Sequence, residues 1–250
     1  MTDEDEQLAW DDPRLGVKRE PEWIAKRRRL QSWWREHELG ASPGLLAGRR
    51  FPVGNQLDPE AVALVPDLNF LTKAAYEHAL ERVDAVHAEA GTIEADRLFR
   101  NLLSSMPMCF NVFGSLRASM PAFTTLFQQV FVPEIEVASV EKVVCEWAPR
   151  PKRSFLDDNT AFDAAIWFTD GDGRRCLLGV EAKYTDSFSE RTYDDGQYRT
   201  VTAESGWFVV EGTFDQLKRS KTSNQLWRNM LLAASMELPR AAKSRVDWAG

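Results

Sequence analysis

Apolar positions at Leu71, Ala74, Ala75, His78, Val83 and Val86 recur at helical spacing, which predicts a helical region over about residues 57–105, broken at Gly91. A second helix is expected over about 93–103. Residues 106–131 are aromatic and apolar but contain Pro107, Gly114 and Pro121, so short packed pieces are expected there. The period then changes from that of a helix to that of a strand. Residues 140–147, 161–168 and 176–185 are β-branched or alternating runs, and 207–211 is a fourth, shorter candidate. Thr213-Phe-Asp-Gln216 has the capping-box form and opens a helical region striped by Leu217, Leu226, Trp227, Met230, Leu231 and Ala234. The order of helices, three strands and a helix predicts a mixed α/β (α+β) domain. Residues 1–55 precede it as an extension: a short helix with Trp33-Trp34, then an irregular Gly/Pro-bearing arm over 40–54 lying against the main body of residues 56–250.

Composition adds exclusions. Nine Trp and fourteen Phe in 250 residues rule out a disordered chain. No apolar run approaches the roughly 18 residues needed to span a bilayer. The acidic start, Met1-Thr-Asp-Glu-Asp-Glu, lacks the basic and apolar regions of a signal peptide. Cys109, Cys145 and Cys176 are odd in number and widely spaced, matching neither a disulfide framework nor a zinc site. Reduced, partly buried thiols in a cytoplasmic protein are the expectation. A net charge of −7 argues against coating nucleic acid by bulk attraction. That average hides local contrast. Residues 54–99 hold nine acids against three bases, whereas 216–245 hold seven bases against one acid, and Lys26-Arg27-Arg28-Arg29 forms another basic run. Such patches suit contact with phosphate at one face, and they equally suit solvated helix surfaces.

The informative stretch surrounds Asp163 and Glu181-Ala182-Lys183. Side chains alternate faces along a strand, so Phe162, Ala164, Ile166 and Phe168 share one face and Asp163 the other. On the next strand Leu178, Val180, Ala182 and Tyr184 oppose Glu181 and Lys183. Register decides whether the charged groups meet. A three-residue turn at Gly171-Asp172-Gly173 sets Asp163 directly across from Glu181, with Cβ atoms about 4.5–5.5 Å apart. A two-residue turn at Asp172-Gly173 sets it across from Ala182 instead, on the wrong face. Two carboxylates so close need a cation, and hard oxygens suit Mg²⁺ or Mn²⁺. Such an ion polarises a phosphodiester and generates hydroxide. A solvated surface hairpin accounts for the same letters.

This hairpin resembles the active-site hairpin of the PD-(D/E)XK nuclease superfamily, with its restriction-endonuclease-like fold. Ser104-Ser105, the run from Met108 to Gly114 and the run from Asn224 to Ala233 are also similar to a bacterial group of predicted restriction-endonuclease-like proteins. The resemblance covers about residues 93–236 and implies a central mixed sheet flanked by helices. It implies Asp163, Glu181 and Lys183 as catalytic residues, with Asp163, Glu181 and the Ala182 carbonyl on Mg²⁺ or Mn²⁺. Glu94 or Asp96, from the first core helix, and Gln225 and Arg228, from the helix after the hairpin, are further candidates. Basic groups of that C-terminal helix would position the substrate backbone. The implied function is metal-dependent cleavage of nucleic acid, most simply as a DNA endonuclease of restriction or defence type, with two copies pairing to cut both strands. A nuclease-like binding or assembly module is the alternative. Asp163 follows Ala-Phe rather than Pro, and residues 238–250 offer no evident candidate for the strand expected to close the core.

Overall fold

The computed structural model describes residues 9–88, 93–188, 196–208, 212–217, 220 and 223–250. Helix α1 (Glu22–His37) is followed by a hairpin of β1 (Pro43–Leu45) and β2 (Pro52–Leu57), where an irregular arm was expected. Arg35 explains the difference. Its side chain is fully buried and donates to the carbonyls of Gly54, at 3.0 Å, and Ala41, so a helix cation satisfies the hairpin backbone. Gly54 is needed there because a Cβ would lie 1.8 Å from Ser32 Oγ. Strand β2 runs across the expected boundary at residue 55.

Helices α2 (Pro59–Leu64), α3 (Lys73–Ala88) and α4 (Ala95–Arg100) replace the long helical stretch. Helix α5 (Ser105–Cys109) continues through a π-turn over Phe110–Gly114, and α6 (Met120–Val130) follows, giving the short pieces expected. Strands β3 (Val137–Trp147), β4 (Phe162–Asp170) and β5 (Arg175–Val180) form an antiparallel meander. Helices α7 (Gly196–Glu204), α8 (Thr213–Leu217) and α9 (Asn224–Glu237) come next, so the capping-box segment opens a separate short helix. Trp207 lies in a bend and Phe208 in no regular element, and 209–211 fall outside the described residues.

The closing strand exists. β6 (Trp248–Ala249) pairs parallel with β5 through Cys176 and Leu177, giving a mixed sheet ordered β3-β4-β5-β6. Gly250 donates to the Leu177 carbonyl and accepts from Gly179 N–H at 2.8 Å. A two-residue parallel strand needs no alternating run, which is why no candidate for it was evident.

Helices cover both faces of the sheet. Ala164, Ile166 and Phe168 pack with Phe110, Phe123 and Phe127. Ala165 and Leu177 pack with Tyr198, Trp227 and Leu231 on the other side. The face that carries Asp163 and Glu181 is therefore apolar along its middle, where α7–α9 cover it, with Arg175 at its turn end and Asp163 and Glu181 at the other. Phe162 departs from the alternation and joins the α9 side, its ring filling the space over Gly179. Cys109, Cys145 and Cys176 are buried, unpaired thiols, as expected.

Candidate active site

The turn specifies the register. Asp170 N–H bonds the Arg174 carbonyl at 3.1 Å, and Gly173 N–H bonds the Asp170 carbonyl at 3.0 Å. The Asp170 carboxylate accepts from the N–H groups of Asp172 and Arg174, and Gly173 takes φ +78°, a region where glycine has no Cβ penalty. These bonds select the three-residue loop, and pairs run from Thr169–Arg175 to Ala164–Val180. Continued by one step, that register sets Asp163 across from Glu181. The ladder stops there, and the Asp163 carboxylate takes over by accepting Ala182 N–H at 2.7 Å. The sequence-predicted pair and its tripeptide thus converge.

Glu181 is held from three sides. Lys183 Nζ lies 2.5 Å from Oε1, Gln225 Nε2 donates to the same oxygen at 2.5 Å, and Asn229 Nδ2 donates to Oε2 at 2.5 Å. Gln225 and Asn229 are one turn apart on α9, so a single helix face supplies both amides. Gln225 was expected at the site. Asn229 was not, although its spacing from Gln225 signals it. Arg228, a neighbour of Asn229 on the helix, is buried, and its charge acts on Tyr198.

Glu146 is the larger omission. Cys145 pairs with Ala164 and Trp147 with Phe162, so Glu146 stands opposite Asp163 on the far side of β4. Its backbone is left-handed at φ +49°, and Arg82 bonds the carbonyls of Cys145 and Glu146 at 2.8 Å each. His78 Nε2 accepts Cys145 N–H at 3.0 Å. Burial pushes the His78 pKa down to about 4, which keeps that nitrogen an acceptor at neutral pH. The register of β3 on β4 is set across an irregular connection of more than a dozen residues, so sequence spacing carried no signal for Glu146.

The electrostatics follow from this crowding. Burial, then the Glu181 charge, pushes the Asp163 pKa up to about 6. Burial, then the Asp163 charge, pushes that of Glu146 up to about 8. Asp163 and Glu181 face each other with Glu146 opposite Asp163, and the repulsion among these carboxyls is what a bound cation would relieve. Among the described residues no three His, Cys, Asp or Glu side chains converge as a ready metal cage. The hard donors that fit one are the two carboxylates, Asp163 and Glu181, with the main-chain carbonyl of Ala182 between them and Lys183.

The remaining candidates lie aside. Glu94 precedes α4 and reaches Arg97 at 4.0 Å from an exposed position, while Asp96 binds Gln56 and Arg100. Arg97 instead bridges to Asp186 at 3.1 Å, and Asp186 accepts Ser105 N–H at 2.7 Å, tying the segment after Lys183 to α5. Asp158 caps a turn, accepting from Thr160 and Tyr198. Of the C-terminal basic run, Lys243 lines a cavity with Lys142, Arg150 and Arg175. Arg228 is buried, Arg240 bonds Gln197 and faces Glu204, and Lys218, Arg219 and Lys221 lie outside those residues. Among the described residues no helix is long and apolar enough to cross a membrane.

A family model described as the PD-(D/E)XK nuclease superfamily matches residues 18–246. No curated protein and no solved structure gives a significant match.

Proposed function

Since the chain belongs to the PD-(D/E)XK nuclease superfamily, we propose that it is a metal-dependent hydrolase of nucleic-acid phosphodiester bonds, with DNA as its substrate and Asp163, Glu181 and Lys183 as its catalytic residues. The observation that carries this reading is the register of β4 on β5, which brings Asp163, the Ala182 main chain and Glu181 together beside Lys183. Asp163, Glu181 and the Ala182 carbonyl would hold Mg²⁺ or Mn²⁺, which supplies Lewis-acid polarisation of the phosphate and acidifies bound water. The protein's own groups do the rest. Gln225 and Asn229 fix the Glu181 carboxylate from α9, so its orientation does not depend on the ion. Lys183, partly exposed beside Glu181, presents an ammonium that stabilises charge on the phosphate and orients the attacking water. Ala182 N–H holds Asp163 against the β5 edge.

The test is cleavage of plasmid, single-stranded DNA and RNA with Mg²⁺ or EDTA. Asp163→Asn and Lys183→Ala are each expected to abolish metal-dependent cleavage while unfolding at temperatures close to the parent's. Full cleavage by both variants sinks the assignment. Mn²⁺ binding that needs Asp163, with no hydrolysis of any substrate, marks a nuclease-like binding module instead.

A further inference from the structure

Helix α1 carries a stripe that the catalytic groups do not use. Trp23, Arg27, Gln31 and Trp34 fall on one face, because residues three and four apart superpose along an α-helix. Two of them show where that face looks. Gln31 Nε2 donates to the Tyr184 hydroxyl at 3.4 Å, and Trp34 joins Tyr184 in lining a cavity of about 600 Å³. Phe70 and Met108 line its other sides. The volume falls in the range of about 300–1,000 Å³ typical of pockets for small organic groups. Trp23 and Trp34 leave 52% and 36% of their surface exposed, apolar area that the fold itself does not use. Lys26 pairs with Glu22 and Arg28 with Glu20, whereas Arg27 and Arg29 are exposed with no ion pair among the described residues, and of these two only Arg27 shares the face of Trp23, Gln31 and Trp34. Tyr184 directly follows Lys183, so the cavity begins one residue beyond the candidate catalytic lysine.

From this juxtaposition we propose that α1 and the cavity form a track for single-stranded nucleic acid, with one base stacked on Trp34 and Tyr184 and a phosphate of the same strand on Arg27. This rests on the nucleic-acid hydrolase reading and sharpens its substrate class. Aromatic faces accept any base, and a cation set between two of them tracks the backbone without reading sequence. Arg27 lies seven residues from Trp34, about 10 Å along the helix axis, a separation that adjoining nucleotides of an extended strand can bridge. A duplex cannot deliver a base into the cavity without first unpairing it, at a cost of a few kcal/mol. Unpaired strands, and duplexes with a frayed or mismatched base, therefore bind in preference to intact duplex.

The test is fluorescence anisotropy with short labelled oligo(dT) and with a perfect duplex of equal length, in EDTA so that nothing is cleaved. The full-length protein is expected to bind oligo(dT) more tightly than duplex. Trp34→Ala and Tyr184→Ala should each weaken oligo(dT) binding roughly fivefold or more. Trp34→Phe and Tyr184→Phe should bind within about twofold of the parent, since they keep a stacking ring. Arg27→Gln should flatten the salt dependence of binding. Phe51→Ala, an exposed aromatic off the stripe, serves as the unchanged control. Parental affinity in Trp34→Ala, or duplex binding as tight as oligo(dT), overturns the inference; so does a Tyr184→Ala that binds like the parent if Trp34→Ala fails to fold. Tight binding of apolar peptides with no affinity for oligo(dT) also overturns it and marks a peptide groove. Adding Mg²⁺ to the same oligonucleotides reports the hydrolase reading separately. Trp34-dependent binding without cleavage sinks only that reading, whereas cleavage with Trp34-independent binding sinks only the track.

Discussion

Glu146→Gln tests the electrostatics of the site without touching the three proposed catalytic side chains. The substitution keeps shape and removes a charge. Burial and the facing Asp163 raise the Glu146 pKa from its ordinary 4.5 to about 8. Below pH 4.5 folded and unfolded chains both carry the proton, and the group contributes nothing to the pH dependence. As pH rises toward 8 the unfolded chain releases its proton while the folded one keeps it, so stability falls across that window and levels off above it. At about 1.4 kcal/mol per pKa step, the full difference corresponds to about 5 kcal/mol. Asp163, raised to about 6, shares the same repulsion, so on the order of 2 kcal/mol is expected from Glu146 alone. Urea unfolding in EDTA at pH 5, 7 and 8.5 measures it. The Gln variant should match the parent near pH 5 and exceed it by that amount at pH 8.5. Parallel pH profiles for the two proteins would refute the placement of Glu146 against Asp163.

Two further substitutions probe the support of the site. Gly179→Ala would place a Cβ 2.3 Å from the Phe162 ring, and thermal or urea unfolding should show a loss of about 1–3 kcal/mol from overpacking; an unchanged midpoint would contradict the packing of Phe162 on β5. Asn229→Leu removes the amide at Glu181 Oε2 and should lower Mn²⁺ affinity roughly 10–100-fold, read by titration calorimetry, with the fold intact by circular dichroism.

The hairpin was legible because its signals are local. Alternation placed Asp163 and Glu181 on one face, and a Gly-Asp-Gly turn offered only two registers, of which one assembles the charges. Gln225 was legible as a polar position beside the apolar stripe of its helix, and Asn229 lay one turn further along that helix. Other parts had no local signal. Arg35 carries no sign of burial in its spacing, yet it is buried in the α1–hairpin junction, where two carbonyls replace its water. Arg228 reads as a polar group for the metal site or phosphate, and its burial, with its charge acting on Tyr198, was not legible.

What the chain alone determined is periodicity and turn chemistry: which residues alternate, which cap, and how one tight loop sets the pairing of the strands it joins. Tertiary structure decided everything carried across long connections. It set β3 against β4 so that Glu146 faces Asp163, laid Trp248 and Ala249 along β5, and swung α1 until Gln31 met Tyr184. The physical reason is one of range. A three-residue loop fixes its register through its own hydrogen bonds, whereas segments joined by long or irregular connections find theirs only through the packing of surfaces that sequence spacing does not encode.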